Sequence, residues 1–212
     1  MEFEREKINS VAIVCGGTID NIRWLKENLQ MYTHIIAADS GYDYCRKSEV
    51  IPNVIIGDFD SVSYDLPNNV KRISLPTKKD ETDFEACLNY CKNNGLNKVS
   101  VFGAWGGRPG HSFAAVFAAL KYFKQGIDIT FISEKHKMFF VSDECAIPRQ
   151  GGYVSIFALS DLSAEITLSG FEYPLENCIL EPCSPLGVSN KIIGDNGVIS
   201  VKKGILLIIV EE

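Results

Sequence analysis

Two aspartates with one residue between them, in Asp58-Phe59-Asp60, directly follow the apolar run Asn53–Gly57. Carboxylates held that close beside a buried strand repel one another unless a cation lies among them. Asp39, in Asp39-Ser40-Gly41, and the pair in Asp80-Glu81-Thr82-Asp83 also follow apolar runs. Hard oxygen donors of this kind suit Mg²⁺, which takes one or two carboxylates and completes its shell with water and phosphate oxygens. Arg108 closes the glycine-rich run Gly103-Ala104-Trp105-Gly106-Gly107-Arg108, where a planar guanidinium can donate to phosphate oxygens. A divalent cation, carboxylates and an arginine that reads phosphate make phosphoryl-type transfer the chemistry to expect. Singly, the segments have plainer readings. Asp39-Ser40-Gly41 alone is a turn, Asp80 and Asp83 support a helix N-terminus, and His111 caps or packs. Gly16–Gly17 reads either as an approach to phosphate or as a simple turn.

The elements that would position these groups follow from periodicity. Val11–Cys15, His34–Ala38, Asn53–Gly57, Val70–Leu75, Lys98–Phe102 and Asp128–Ser133 read as buried strands. Thr82 and Glu85 form a capping-box pattern ahead of Phe84, Cys87, Leu88 and Cys91, which share one helix face. Asp20 or Asn21 opens a helix carrying Trp24, Leu25 and Leu29, and Ser112 is the expected cap of an Ala-rich helix running to Gln125, with Gly126 as its stop. Such alternation predicts a Rossmann-like α/β domain, a largely parallel sheet with helices on both faces. In that arrangement the strand C-termini form one edge, where ligands bind, and the polar clusters converge there.

Beyond about residue 135 the pattern becomes short β runs broken by Gly, Pro, Asn and Ser: Tyr153–Leu159, Ala164–Leu168, Cys178–Leu180, Val198–Val201 and Ile205–Val210. That predicts a small all-β, sandwich-like C-terminal domain. The expected division is residues 1–140 and 141–212, with the junction inside 134–150.

The formal charge of -6, with no basic patch beyond the pairs Lys78–Lys79 and Lys202–Lys203, speaks against a nucleic-acid partner. The apolar stretch after the charged Met1–Lys7 segment is too short for a signal core or a membrane span. Seven cysteines, an odd number with no CxxC pair, are expected as reduced thiols in a cytoplasmic protein rather than as a zinc site.

Taken in order, Asp39-Ser40-Gly41, Gly57-Asp58-Phe59-Asp60-Ser61, Lys79-Asp80-Glu81-Thr82-Asp83 and Gly106-Gly107-Arg108 resemble the motifs of the thiamine pyrophosphokinases. Gly170-Phe171-Glu172-Tyr173-Pro174-Leu175 and Gly187-Val188-Ser189-Asn190 are similar to that family's C-terminal, thiamine-side motifs. The resemblance implies a homodimer that moves a diphosphoryl group from ATP to thiamine, with its active site near the subunit interface. It implies that Asp58, Asp60, Asp80 and Asp83 hold Mg²⁺ and the phosphates, and that Arg108 stabilises charge on the transferred group. By position, Asp39, Ser40, Gly41, Thr82, Gly107 and His111 fall to the nucleotide side. Ser189 and Asn190 fall beside thiamine, with Tyr173 as an aromatic wall for its flat, cationic rings.

One position departs from the pattern. The family continues Gly-Gly-Arg-x-Asp-His, and here Gly110 precedes His111. Either the missing Asp is a metal contact or base, or it is a helix cap whose role passes to Ser112. Other functions also fit some of these residues. Asp58-Phe59-Asp60-Ser61-Val62 resembles the start of a haloacid-dehalogenase-type phosphatase with Asp58 as nucleophile, although no downstream Lys and acidic pair accompanies it. A catalytically silent nucleotide- or thiamine-binding protein, or a pyrophosphokinase acting on another heterocyclic alcohol such as a pterin, are the remaining alternatives.

Overall fold

Val11, Ala12, Ile13 and Val14 are all 2% exposed or less, so strand β1 (Ile8–Val14) is covered on both faces. That burial suits an interior strand of a parallel sheet. The computed structural model describes residues 8–78, 80–159 and 163–211. Lys79 and the Met1–Lys7 segment lie outside the described residues.

The chain divides into two compact units, Met1–Glu134 and Lys135–Glu212. The first holds β1, β2 (Tyr32–Ala38), β3 (Val54–Gly57), β4 (Lys71–Ser74), β5 (Lys98–Phe102) and β6 (Asp128–Ile132). Its strands lie in the order β4-β3-β2-β1-β5-β6, and each neighbouring pair is parallel. The order reverses at β1, because the chain first builds outward to one side and then returns to place β5 on the other.

Helices α1 (Ile22–Leu29) and α2 (Gly41–Lys47) bury Leu25, Leu29, Tyr42 and Cys45 against Ala12, Val14, Ile35, Ala37 and Ile55. His34 points to the opposite face of β2, since side chains alternate along a strand. Its ring stacks on Tyr90 of α3 (Asp83–Asn93), with centroids 6.3 Å apart, so α3 covers that other face. Helix α4 (Pro109–Phe123) packs on α3 and β6.

One helix start differs from the sequence reading. Asn21 caps α1 as expected, its side chain accepting from Trp24 N at 2.9 Å. Ser112, however, does not cap α4: the helix begins three residues earlier, at Pro109, with Arg108 as the capping residue. Proline's fixed φ suits the first helical position, which explains the earlier start. Ser112 is a buried residue inside the helix, its Oγ 3.4 Å from the Gly106 carbonyl. Helix α2 was not expected either, because Gly-Tyr-Asp-Tyr-Cys-Arg-Lys has no helical apolar stripe and only seven residues.

Gly41 opens α2 directly against β1. A Cβ built there would stand within 2.6 Å of the Val14 carbonyl carbon, and nearer still to its oxygen. Gly41→Ala is therefore expected to lose about 3 kcal/mol of stability by overpacking, read as a fall in the denaturant midpoint at unchanged m.

The second unit contains β7 (His136–Val141), β8 (Glu144–Pro148), β9 (Val154–Ala158), β10 (Ala164–Ser169), β11 (Leu175–Leu180), β12 (Asn196–Lys203) and β13 (Leu206–Glu211). Strands β7, β13 and β9 pair antiparallel, and β11-β10-β12-β8 form a second antiparallel sheet. Residues 154, 156, 158, then 164, 166, 168, then 206, 208, 210 alternate into one apolar cluster. That period of two is what packs one sheet against another. The unit has no helix among its described residues. Across the chain, no helix is long and apolar enough to cross a membrane, among the residues described, and no disulfide joins the cysteines there.

Candidate active site

The C-terminal ends of β1, β2, β3 and β5 open onto one cavity of about 690 Å³, within the size range of small-molecule sites. It lies where the strand order reverses, the place where a crevice forms between diverging loops. Asp39, Ser40, Asp58, Asp60, Thr82 and Asp83 line it, as do Gly107, Arg108 and His111.

Asp39 ends β2 in a left-handed conformation, φ 46°, and is 8% exposed. Its N–H donates to the Ile56 carbonyl at 2.8 Å, and its Oδ1 accepts from Phe59 N at 3.1 Å. Phe59 also takes a positive φ, 67°, which is uncommon for a bulky residue. Two hooks hold that turn: Asp39 at Phe59, and Asp43 of α2, whose carboxylate accepts from Ser63 N at 3.1 Å. Asp58 Oδ1 in turn accepts from Asp60 N at 3.3 Å.

The result is a cluster in which one carboxylate oxygen each from Asp39, Asp58 and Asp60 lie within 4.8 Å of one another. Octahedral ligands around Mg²⁺, at about 2.1 Å, stand roughly 3 to 4 Å apart, so this donor set fits such an ion with waters or phosphate oxygens completing the shell. Burial pushes the Asp39 carboxyl above its ordinary value; the Ser40 backbone N–H opposes this, while Asp83, Asp58 and Asp60 add to it. Asp39 therefore feels the other three carboxylates, and a cation beside it relieves that repulsion.

The sequence grouped Asp58 and Asp60 with Asp80 and Asp83, and the structure divides that set. Asp83 stands in the first turn of α3 and lines the cavity. Asp80 is exposed and is not among the lining residues, whereas its neighbour Glu81 is. Thr82 caps α3, accepting from Glu85 N at 3.1 Å. The reciprocal half of the capping box is replaced, since Glu85 Oε1 accepts from Lys121 Nζ at 2.6 Å. Gly41 does not line the cavity; it is the close-packing residue described above.

On the opposite wall Gly106 and Gly107 take φ of 93° and 76°, a backbone that brings Arg108 to the start of α4. Gly16 and Gly17, read as either a turn or a phosphate approach, line the cavity together with Thr18. Gly17 N donates to the Gly103 carbonyl at 2.8 Å. Tyr44 and Thr77 also line it, and neither carried a signal in the sequence. Tyr44 sits on the unexpected α2, its hydroxyl 3.3 Å from Ile19 N.

Gly110 is the second residue of α4, is exposed, and has open space around a built Cβ. Although Arg108 and His111 beside it line the cavity, its place in the first turn is one where a carboxylate complements the helix dipole. Gly110→Asp is expected to raise stability by about 1 kcal/mol and to leave kcat within about threefold, as read by thermal unfolding and steady-state rates. A large change in kcat would instead assign the missing Asp to the chemistry.

In the second unit Tyr173, Ser189 and Asn190 come together. Asn190 is 4% exposed, and its carboxamide is bonded to the Tyr173 backbone. Ser189 takes φ 58° and its N–H donates to Ser155 Oγ at 3.1 Å.

A parallel sheet that gathers carboxylates, glycine turns and an arginine around one crevice defines a class of phosphate-handling α/β proteins. Comparison with known proteins narrows that class. Residues 25–131 match the family model for the thiamin pyrophosphokinase catalytic domain, and residues 142–206 match the thiamin pyrophosphokinase vitamin B1 binding domain. The thiamine pyrophosphokinase of Bacillus subtilis is 30% identical over 210 residues, covering 95% of this chain and 98% of the relative. Among solved structures, thiamine pyrophosphokinase from Bacillus subtilis superposes with a TM-score of 0.84 at 27% identity, covering 95% of this chain and 98% of that one. The Geobacillus thermodenitrificans structure gives 0.79 at 27% identity, over 95% and 97%. The chain belongs to the thiamin pyrophosphokinase family.

Proposed function

We propose that the chain transfers the diphosphoryl group of ATP to the hydroxyethyl group of thiamine, giving thiamine diphosphate and AMP, with Mg²⁺ required. The observation that carries this reading is the convergence of Asp39, Asp58 and Asp60 with Arg108 in one cavity at the strand C-termini.

In the proposed reaction the hydroxyethyl oxygen of thiamine attacks the β-phosphorus of ATP. The new O–Pβ bond forms as the bond from Pβ to the bridging α,β-oxygen breaks, and AMP departs with that oxygen. Asp83 is the proposed acceptor of the alcohol proton, and its lining of the cavity, which Asp80 does not share, supports that choice. The Arg108 guanidinium donates to oxygens of the transferred group, and the glycine turns bring backbone close to the phosphates. Mg²⁺ would be held by Asp58 and Asp60, with Asp39 completing the carboxylate set, and supplies charge neutralisation on the phosphates. Ser40, Thr82 and His111 would border the nucleotide.

Tyr173, Ser189 and Asn190 form the proposed thiamine side, within the segment that matches the vitamin B1 binding domain. We further propose a homodimer and a cytoplasmic location. In support of the first, Trp105, Phe113 and Phe117 expose a run of aromatic surface on and beside α4, suited to a partner subunit. In support of the second stands the set of cysteines without a disulfide.

Product analysis tests the reaction. Incubation with ATP, Mg²⁺ and thiamine is expected to yield AMP and thiamine diphosphate in equal amounts. Inorganic phosphate with a trapped aspartyl-phosphate would point to the phosphatase reading. Ligand binding with no AMP would point to a silent binding protein, and AMP formed only with a pterin alcohol would change the acceptor.

A further inference from the structure

Asn190 is almost fully buried, yet its carboxamide is not packed as filler. Its Oδ1 accepts from Tyr173 N at 3.0 Å and from Lys191 N at 2.9 Å, while Nδ2 donates to the Tyr173 carbonyl at 2.8 Å. Both backbone groups of Tyr173 are thus held by one side chain, as a neighbouring strand would hold them. Two of the carboxamide's acceptor positions and one of its two donor hydrogens are consumed. Little capacity remains for a ligand.

The surrounding chain reinforces this clamp. Asn190 exchanges backbone bonds with Val154 at 2.8 and 2.9 Å, which ties it to β9. Glu172 N donates to the Lys191 carbonyl at 2.8 Å, and Phe171, 2% exposed, bridges to Ile192. The backbone around Tyr173 is held by these bonds while the residue as a whole is 64% exposed. Among the described residues no Lys or Arg covers that ring, whereas Lys191 Nζ stands 4.9 Å over the ring of Tyr153. A rigid, bare aromatic face suits a flat cationic heterocycle.

We propose that Asn190 is a positioning residue rather than a thiamine ligand: its carboxamide fixes the Tyr173 backbone so that the phenol ring forms a pre-set platform for the cationic acceptor. The inference rests on thiamine being the acceptor. An arm of the test without ligand keeps the two apart.

Amide hydrogen exchange of the ligand-free wild-type protein tests the clamp alone. Slow exchange at Tyr173 N–H is expected; exchange at the rate of an open loop overturns the clamp whatever the acceptor. Thiamine and ATP affinities and kcat are then measured for Asn190→Ala, Tyr173→Ala and the double variant. Each single change is expected to weaken thiamine binding about tenfold and to leave ATP binding within about twofold, as loss of one cation–π platform implies. The double variant should match Tyr173→Ala, because the two residues act through one contact. Losses that multiply to about a hundredfold would mean that Asn190 touches thiamine independently. Parallel losses of ATP and thiamine binding would reduce Asn190 to a fold-maintaining residue, and either result overturns the proposal. Asn190→Asp, which keeps both acceptor bonds and loses the donation to the Tyr173 carbonyl, enters the same cycle if Asn190→Ala does not fold. Wild-type protein that protects the Tyr173 amide but binds no thiamine refutes the acceptor, and with it the platform role, while leaving the clamp in place.

Discussion

Replacing Asp58 or Asp60 with Asn is expected to lower kcat/KM by at least about a thousandfold, equivalent to roughly 4 kcal/mol of transition-state stabilisation. Asn keeps the shape of the side chain and removes the charge that a hard cation needs. The fold should not suffer. Asp60 is exposed and Asp58 half-buried, and their hydrogen bonds are local ones within the 58–61 turn. Burial is the main cause of the raised Asp39 pKa, and removing one neighbouring negative charge eases the repulsion that adds to it, so the unfolding temperature without metal should hold or rise slightly. Steady-state AMP release and thermal unfolding, run on the same preparations, separate the two effects. Wild-type-like turnover in either variant would remove the metal-site account.

Arg108→Ala carries the second-largest expected loss, about a hundredfold or more in kcat with a smaller change in the KM for ATP. Charge on the transferred group grows toward the transition state, so a donor aimed at it matters more there than in the bound substrate. Arg108 is exposed and its side chain makes no capping bond to α4, so stability should be nearly unchanged. Arg108→Lys restores charge but not the two-pronged donor geometry and should recover only part of the rate. An unchanged kcat in Arg108→Ala, with ATP binding alone weakened, would confine the residue to holding the ground state.

The sequence made the parallel strands legible because they are short, apolar and bounded by polar turns. Lys98–Phe102 coincides with the observed β5, while Val11–Cys15 ends one residue beyond β1, which starts three residues earlier, at Ile8. Convergence of the polar clusters followed from topology alone, since strand C-termini share an edge. Sequence could not rank carboxylates within the edge. Asp80 and Asp83 are three residues apart, and only the position of the α3 cap turns Asp83 into the cavity while leaving Asp80 outside it. Asp39 joins Asp58 and Asp60 through a left-handed backbone and a bond to Phe59 N, and neither has a signature in residue type. Tyr44 went unseen because α2 did. Strand β8 was hidden because it buries only Ile147 and ends in proline, so it shows no apolar alternation. Asn190 illustrates the reverse case, a residue that the family resemblance sets beside thiamine by motif position and whose carboxamide is committed to Tyr173.

In the proposed mechanism, aspartates from separate strand ends act together through a divalent cation. Thiamine-dependent AMP release, followed while chelator removes the cation and Mg²⁺ restores it, tests that joint action most directly. Release should stop with chelation, return in full with Mg²⁺, and stay absent at any Mg²⁺ level in Asp60→Asn. AMP formation that continues undiminished after chelation would contradict it.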